Sequence, residues 1–291
     1  MTLYKVASGN SEKMKITVNS WGGSKVESSN TSIVTVSGLT EQSVDAAVYQ
    51  LVATGFGTAT LTFTNRVNST EKVTYNVTVN SFSAPTLNSS SVTLKSVPRN
   101  EGSSNLSATV TVTSPVGGYE VSSGTNSSIA SYSMSGNNCT VKAVKAGSTS
   151  ITFRNKLDNS KTKTYSITVT GILYEGQAVW KYRGYYIAPE NAATVQWDDN
   201  LQRYCVKHGG AWAMPTEGDW NAILGTSGMN NASSSIFSDL KNMLGLSSYW
   251  GMNLYSGDSA YAATMYVLKD GAYVHYSDKR NERYVRCVIK Q

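Results

Sequence analysis

Histidine and cysteine, which supply many general bases, nucleophiles and metal ligands, are scarce in this 291-residue chain. There are two histidines, His208 and His275, and three cysteines, Cys139, Cys205 and Cys287. No His-x-x-His or Cys-x-x-Cys spacing occurs, although such pairs supply most zinc sites and thiol redox sites. We therefore expect no catalytic residue, no metal site and no cofactor.

Charge and hydropathy narrow the class of partner. The net charge of +6 comes from the first 171 residues, which hold 14 Lys and Arg against 8 Asp and Glu. From residue 172 onward the two counts are equal, at 11 each. The basic residues form no cluster, so we expect no nucleic-acid partner. No run approaches about 18 apolar residues, so we expect no membrane insertion.

The first 171 residues contain an internal repeat. The stretch GTATLTFTNR, which begins at Gly57, and VTYNVTV, which ends at Val79, recur 90 residues later as GSTSITFRNK and KTYSITV. Upstream, ITVNS at Ile16 corresponds to VTVTS at Val110. Repetition on this scale indicates two copies of one structural unit.

Each copy has the pattern of β-strands. Apolar residues alternate with Thr or Asn, and Gly, Asn and Ser clusters interrupt the runs at short intervals, as in β-sandwiches. The segment VKAVKAGSTSIT, from Val141, resembles the bacterial Ig-like group 2 domains, and the resemblance covers about residues 10–80 and 90–170. It implies two stiff spacer modules, at 1–80 and 81–171.

The composition changes after Gly171, where five of the six tryptophans lie. Apolar spacing predicts a helix over 192–208, ended by Gly209-Gly210. A second helix is predicted to begin at Thr216, with Asp219 completing a capping box, and a third over 235–244. Strands are expected at 263–268, 272–276 and 284–289, with a turn at 269–271.

The segment AWAMPTEGDW, from Ala211 to Trp220, resembles the Trp-x-Leu-Pro-Thr-x-x-Glu-Trp segment of the C-type-lectin-like fold. Formylglycine-generating enzymes, the Fibrobacter major paralogous domain and the variable proteins of diversity-generating retroelements share it. The YWG at Tyr249 and the YVRCV at Tyr284 are similar to the last two groups. The expected fold is multidomain: two all-β Ig-like sandwiches followed by an α+β C-type-lectin-like domain at 172–291. Trp212 and Trp220 are expected in its core.

The resemblance has consequences for the cysteines and for metal binding. Cys205 and Cys287 occupy places that lectin-like folds often bridge; the alternative is two buried thiols. Cys139 is expected to be a small core residue. Calcium-dependent lectins use an acidic-Pro-Asn triplet and a later Trp-Asn-Asp. The similar triplets at Pro189 and Trp197 lie before and within the first predicted helix, so we expect binding without metal.

The last forty residues are rich in aromatic and amide side chains, which make broad contacts at low entropic cost. In retroelement variable proteins this stretch is diversified over a constant scaffold. The predicted ligand-binding residues are Asn253, Tyr255, Tyr261, Tyr266, Tyr273, His275, Arg280 and Asn281. The alternative is that most of these tyrosines cover a small core, with Trp250 inside it.

Three functional hypotheses follow. The first is a non-enzymatic display protein on a bacteriophage virion (a head or tail fibre or a capsid decoration). It would bind a host-surface glycan or protein, contact other virion structural proteins, and could form a homo-oligomer. The first residues, from an intact Met1, lack the apolar stretch of a secretory leader, which favours this location unless a leader has been trimmed. The second is a bacterial cell-surface adhesin or pilus-tip subunit. The third is a degenerate enzyme of the formylglycine-generating type.

Overall fold

The computed structural model describes residues 1–5, 13–42, 46–208 and 211–291, with the side chains of all but 37–42. The chain divides into two compact units. One consists of Met1–Asn88, Thr111–Ser123 and Ile151–Thr164; the other consists of Ser89–Val110, Gly124–Ser150 and Tyr165–Gln291. The predicted boundaries at 80/81 and 171/172 stay predictions.

The first repeat forms two facing sheets. Its strands are β1 (Thr2–Lys5), β2 (Lys13–Asn19), β3 (Ser24–Ser28), β4 (Val34–Gln42), β5 (Ala46–Ala53), β6 (Gly57–Asn65) and β7 (Lys72–Ser81). The sheet orders are β1-β7-β6-β3 and β2-β5-β4. Alternate residues of both sheets, among them Leu51, Leu61, Phe63 and Val77, form one buried cluster. The predicted period of two is confirmed here, because one face of each strand points into the sandwich.

The second repeat follows the same strand sequence with one addition. Its strands are β8 (Thr86–Leu87), β9 (Ser91–Lys95), β10 (Ser107–Thr113), β11 (Tyr119–Ser123), β12 (Ala130–Ser135), β13 (Asn138–Ala143), β14 (Gly147–Asn155) and β15 (Thr162–Thr170). The sheet orders are β9-β15-β14-β11 and β8-β10-β13-β12. Strands β9 to β15 correspond in order to β1 to β7, and β8 is extra. Cys139 is a buried free thiol, as expected.

The C-terminal residues combine short strands with three helices. The strands are β16 (Leu173–Tyr174), β17 (Gln177–Ala178), β18 (Trp180–Tyr182), β19 (Tyr185–Ile187), β20 (Ala193–Val195), β21 (Ser247–Leu254), β22 (Tyr261–Leu268), β23 (Gly271–Asp278), β24 (Arg283–Val285) and β25 (Val288–Lys290). The helices are α1 (Arg203–Val206), α2 (Glu217–Leu224) and α3 (Ser234–Leu244). The main sheet has the order β20-β24-β21-β22-β23, and β18-β19-β25 forms a smaller one.

Two buried clusters lie on opposite faces of the main sheet. One joins α2 and α3 to Met265 and Val267 of β22, and it includes Trp220. The other contains Trp212, Trp250 and both bridged cysteines. The predicted burial of the tryptophans is confirmed, since Trp212 is 4% exposed and Trp220 and Trp250 are fully buried.

Two predicted helices and the hairpin are confirmed. Thr216 caps α2, with its Oγ1 accepting a hydrogen bond from Asp219 N while Asp219 Oδ2 accepts one from Thr216 N, which is a complete capping box. Helix α3 ends at Gly245. Strands β22 and β23 pair in register from Tyr261–Asp278 to Leu268–Gly271.

The predicted helix over 192–208 is wrong in most of its length. Residues Ala193–Val195 form β20, which pairs with β24, and only Arg203–Val206 is α-helical. Sheet pairing supplies hydrogen-bond partners that the local apolar spacing could not reveal. The predicted terminator, Gly209-Gly210, lies outside the described residues. The predicted single strand 284–289 is interrupted at Arg286 and Cys287, because β24 and β25 belong to different sheets.

Candidate functional site

The predicted ligand-binding residues lie on β21 to β23 and the connections around them. In β22, Met265 and Val267 face the α2 and α3 cluster, whereas Ala262 faces the disulfide cluster. Because side chains alternate along a strand, register places Tyr276 on the helix side and Tyr266, Tyr273 and His275 on the opposite side. The structure therefore divides the predicted surface into two groups and a turn.

The first group, called the helix-side cluster, consists of Asn253, Tyr255, Tyr261, Tyr276 and Glu217. The rings of Tyr255 and Tyr276 are 4.6 Å apart between centroids. Tyr276 donates its hydroxyl to Glu217 Oε2 at 2.9 Å, and Asn253 Oδ1 accepts from Glu217 N at 2.7 Å. Tyr255 and Tyr261 are 41% and 39% exposed. The cluster thus presents the exposed rings of Tyr255 and Tyr261, and the Tyr276 ring beside Tyr255 is hydrogen-bonded to Glu217.

Glu217 is the residue that fixes this cluster, and sequence analysis missed it. It is the first residue of α2, where a carboxylate is favoured by the helix dipole. Burial, and then the hydrogen bond to Glu217, raise the pKa of Tyr276 above its ordinary value. An acidic residue in a capped first turn was the available signal, but nothing local showed that β23 would lie beside it.

The second group, called the edge cluster, consists of Tyr266, Tyr273, His275, Ser277 and Arg283. Strand β23 is the last strand of its sheet. Tyr266 and Tyr273 stack with centroids 5.4 Å apart, and the Tyr266 hydroxyl hydrogen-bonds to Ser277 Oγ. The guanidinium of Arg283 lies 6.0 Å from the Tyr266 ring centroid. His275 is exposed, and its Nδ1 accepts a hydrogen bond from Tyr276 N at 2.7 Å.

Arg280 and Asn281 lie in the turn after β23, apart from both clusters. Arg280 forms an ion pair with Asp278, and its side chain is 87% exposed. The hydrogen bonds from Arg280 lower the pKa of Asp278 to about 2. The positive charge predicted for ligand binding is therefore already paired with a carboxylate, which reduces its attraction for an anionic ligand.

A cleft of about 240 Å³ lies in the same C-terminal part, lined by Trp197, Asp198, Asp199, Leu201, Met214, Met252 and Leu254. Leu201 and Met214 are buried, whereas Met252 and Leu254 are each 40% exposed. The indole of Trp197 donates to Gly251 O, and Lys279 Nζ lies 4.6 Å from its ring centroid. In the sequence, this Trp-Asp-Asp segment resembles only a calcium motif at the wrong place in the chain. In the folded chain this segment lines a cleft together with the apolar side chains of Leu201, Met214, Met252 and Leu254.

Both sets of residues rest on a cross-linked framework. The sulfurs of Cys205 and Cys287 form a disulfide, with Cα atoms 5.5 Å apart. The neighbouring Arg286 is buried, donates Nη1 to Ala188 O, and lies 5.5 Å from the Tyr249 ring centroid. Burial lowers the pKa of Arg286, and the nearby Tyr249 partly offsets this effect. A disulfide and a buried guanidinium thus fix the closing segment behind the sheet.

His208 has a structural partner. Its Nδ1 lies 3.0 Å from Glu175 Oε1, and its ring packs 4.4 Å from Tyr174 between centroids. Burial holds the pKa of His208 below its ordinary value, although Glu175 acts in the opposite direction. The backbone N–H of His208 donates to Cys205 O. His208 therefore lies two residues after the end of α1, with its side chain paired to Glu175.

No group of three or more His, Cys, Asp and Glu side chains arranged to hold a metal ion occurs within the described ranges. Asp198, in the calcium-like segment, instead hydrogen-bonds Arg203 through both carboxylate oxygens. None of the helices in the described part of the chain has the length and apolar character needed to cross a bilayer.

No protein-family model and no curated protein matches the sequence. Solved structures to which the chain is similar include the following three. A fragment of the surface layer protein SbsC, domains 4–9, is 16% identical, with a TM-score of 0.24, and the match covers 60% of this chain and 30% of that one. Invasin, described as a bacterial integrin-binding protein, is 13% identical, with a TM-score of 0.29 and coverages of 99% and 57%. A C-terminal fragment of intimin, solved with the intimin-binding domain of its translocated receptor, is 17% identical, with a TM-score of 0.29 and coverages of 98% and 96%.

This chain thus spans less than a third of the SbsC fragment and just over half of invasin. Likenesses this low in both identity and TM-score carry no conclusion about this chain.

Proposed function

We propose that this chain is a non-enzymatic surface adhesion protein. Residues 172–291 would form a C-type-lectin-like head that binds a surface glycan or protein, and residues 1–80 and 81–171 would form two Ig-like spacers. Support comes from the capping-box segment that carries the lectin-like resemblance. It forms a real helix N-terminus, and its two tryptophans lie in cores on either side of one five-stranded sheet.

The observation that carries the proposal is the helix-side cluster. Tyr255 and Tyr261 are exposed, and the neighbouring Tyr276 and Asn253 hydrogen-bond to Glu217 at the start of a capped helix. Contacts held in this way lose little side-chain freedom on binding, which favours affinity. The adjoining rings of Tyr255 and Tyr276, together with the exposed ring of Tyr261, can cover a sugar ring or accept an aliphatic side chain of a protein.

The cleft beside Trp197 extends the same proposal. Its volume of about 240 Å³ suits one ring or one side chain of a larger ligand. Its apolar floor and the exposed Met252 and Leu254 offer contact area, and Asp199 offers a hydrogen-bond acceptor. We expect the cleft to contribute to affinity rather than to act alone.

That the head is not an enzyme is part of the proposal. Formylglycine-generating chemistry, the alternative that the resemblance raises, needs reactive thiols. Cys205 and Cys287 are bonded to each other, and the free thiol among the described residues is Cys139, in β13 of the second repeat. An adhesive head needs only a fixed surface, which the disulfide helps to hold.

The test is attachment to host cells and to a glycan array. The double variant Tyr255→Ala, Tyr261→Ala should weaken attachment by at least about tenfold, as expected for aromatic anchors. The matched control is Tyr75→Ala, since Tyr75 lies in the first repeat and is also 39% exposed. Unchanged attachment of the double variant, with its circular dichroism intact, would refute the assignment of the site.

Two locations fit a surface adhesion role: the bacterial cell surface, as an adhesin or pilus-tip subunit, and the bacteriophage virion, beside other virion proteins. Immunogold labelling of cells and of purified phage with an antibody to residues 172–291 distinguishes them. Label on intact cells supports the first location, and label confined to virions supports the second.

A further inference from the structure

The two repeats differ at one sheet edge. In the second repeat β8 pairs antiparallel with β10, with Leu87 opposite Val112 and Thr86 opposite Thr113. Asn88 completes the contact, since its N–H donates to Thr111 O at 3.2 Å and its Oδ1 accepts from Thr111 N at 2.9 Å. The corresponding strand of the first repeat is β2, which ends its sheet with no neighbour beyond it among the described residues. Among the described residues, therefore, no strand covers in the first repeat the edge that β8 covers in the second.

Burial of equivalent residues reflects this difference. Val110 and Val112 in β10 are completely buried. Their equivalents in β2, Ile16 and Val18, are only partly buried although they pack against the first core. An open edge with partly exposed apolar residues is the usual template for the addition of a further strand.

A second difference lies beside the same edge. In the second repeat the Nδ2 of the buried Asn155 donates to Val116 O and also, at 3.0 Å, to Ser83 O of the segment that leads into β8. Asn65 is its equivalent in the first repeat, and there Nδ2 donates to Trp21 O and to the carboxylate of Glu71. The carboxylate of Glu71 thus accepts in the first repeat the kind of hydrogen bond that Ser83 O accepts in the second.

A cleft lies beside this edge of β2. It measures about 200 Å³, and its lining includes Val18, Asn19, Asn65 and Glu71. These positions correspond to Val112, Thr113, Asn155 and Lys161. In the second repeat, Val112 and Thr113 pair with β8, and Asn155 bonds the segment before β8. The cleft and the open edge are therefore parts of one site.

We propose that β2 and this cleft accept an extended, uncharged segment of a partner polypeptide, bound as β8 is bound to β10. The segment would run antiparallel to β2, with an aliphatic residue opposite Val18. The N–H of its next residue would donate to Thr17 O, and a carbonyl four residues before the aliphatic one would accept from Asn65 Nδ2. The sequence Phe82-Ser-Ala-Pro-Thr-Leu-Asn88 shows what fits, because it satisfies each of these contacts on the second repeat. Main-chain bonds give such a strand its affinity, and the aliphatic residue gives specificity.

The probe is an acetylated, amidated peptide with the sequence of residues 82–88, added to the full chain and followed by NMR. We expect shifts at Thr17, Val18 and the Asn65 side-chain amide, and slower hydrogen exchange at Thr17. Thr111 should not shift, since β8 already occupies its edge. The same peptide N-methylated at its Asn cannot donate to Thr17 O, and it should bind about tenfold more weakly.

A variant of the protein provides a second test, in which tighter binding is expected. Glu71→Lys, which copies Lys161 of the second repeat, frees Asn65 Nδ2 and should tighten peptide binding several-fold. The proposal is overturned if the peptide causes no shift at β2 at millimolar concentration, or if N-methylation makes no difference. It is also overturned if Thr17 is already protected in the free protein by self-association.

Discussion

At the residue scale, the disulfide and His208 make the clearest predictions. Cys205 and Cys287 close a loop with a sequence separation of 82 and join α1 to the closing segment. In the chain-entropy treatment a bridge over such a loop stabilises the fold by about 4 kcal/mol.

The bridge predicts a thiol count. Unreduced, denatured protein should show one reactive thiol per chain, that of Cys139, and three after reduction. The double variant Cys205→Ala, Cys287→Ala should unfold at lower denaturant concentration, with a loss of up to about 4 kcal/mol. Non-reducing peptide mapping checks the pairing, and three thiols without reductant would contradict it.

His208 predicts a pH dependence. Its pKa is lowered by burial, so the unfolded chain binds the proton more readily than the folded one. The contribution of His208 to the free energy of unfolding should therefore be fully present above the ordinary histidine pKa of about 6.5. As pH falls below that value, the free energy of unfolding should decrease by at most about 1.4 kcal/mol per pH unit. Urea unfolding at pH 7 and 5.5 measures this. His208→Gln should lose less stability over that interval than the native protein does. An unchanged pH dependence in His208→Gln would show that another group is responsible.

At the element scale, the loops after β6 and β14 share one hydrogen-bond pattern but differ in burial. In both, the asparagine Oδ1 accepts from backbone N–H groups two and three residues later. Asn155 is fully buried, whereas Asn65 is only partly buried. A buried polar group left without its partner costs about 1–3 kcal/mol, so location decides the effect of the same substitution.

Asn155→Ala should therefore destabilise the protein by at least about 1 kcal/mol more than Asn65→Ala. Chemical denaturation of the two variants provides the comparison, and each serves as the control for the other. Equal losses would mean that burial of the second loop contributes nothing beyond its local hydrogen bonds.

At the scale of the whole molecule, the second compact unit contains a dense set of contacts between the loop after β9 and the residues after 171. Arg99 donates Nε to Ala178 O at 2.8 Å and Nη2 to Gln177 Oε1 at 2.7 Å, and its guanidinium lies 5.9 Å from the Trp180 ring centroid. Asn100 exchanges two hydrogen bonds with Lys181. These contacts tie the proposed head to the repeat before it.

Arg99→Ala should lower the unfolding temperature reported by tryptophan fluorescence by several degrees, because five of the six tryptophans lie after residue 171. Arg66→Ala is a matched control, since Arg66 donates its Nε to Ser24 O within the first repeat. An equal shift in both variants would show that Arg99 does not tie the two parts together.

The sequence by itself determined the elements whose pattern is local. The repeat, the period of two in β6 and β7, the capping box at Thr216 and the hairpin around Lys269 follow from residues close in the chain, and all are present. The burial of Trp212 and Trp220 followed in the same way, since large apolar side chains next to a helix start have few alternatives.

Only the tertiary structure decided what depends on distant partners. Apolar spacing over 192–208 suits a helix, yet pairing with β24 makes Ala193–Val195 a strand. The eight predicted ligand residues became two clusters and a turn because strand register, not position in the chain, sets which side chains share a face. Glu217 joined them through a contact with Tyr276 across 59 positions, and the open edge of β2 appeared only when two copies of one sequence pattern folded with different neighbours. The physical reason is the same for all four features. The free energy of a backbone or polar group depends on which distant group hydrogen-bonds to it or packs against it, and the local sequence does not specify that partner.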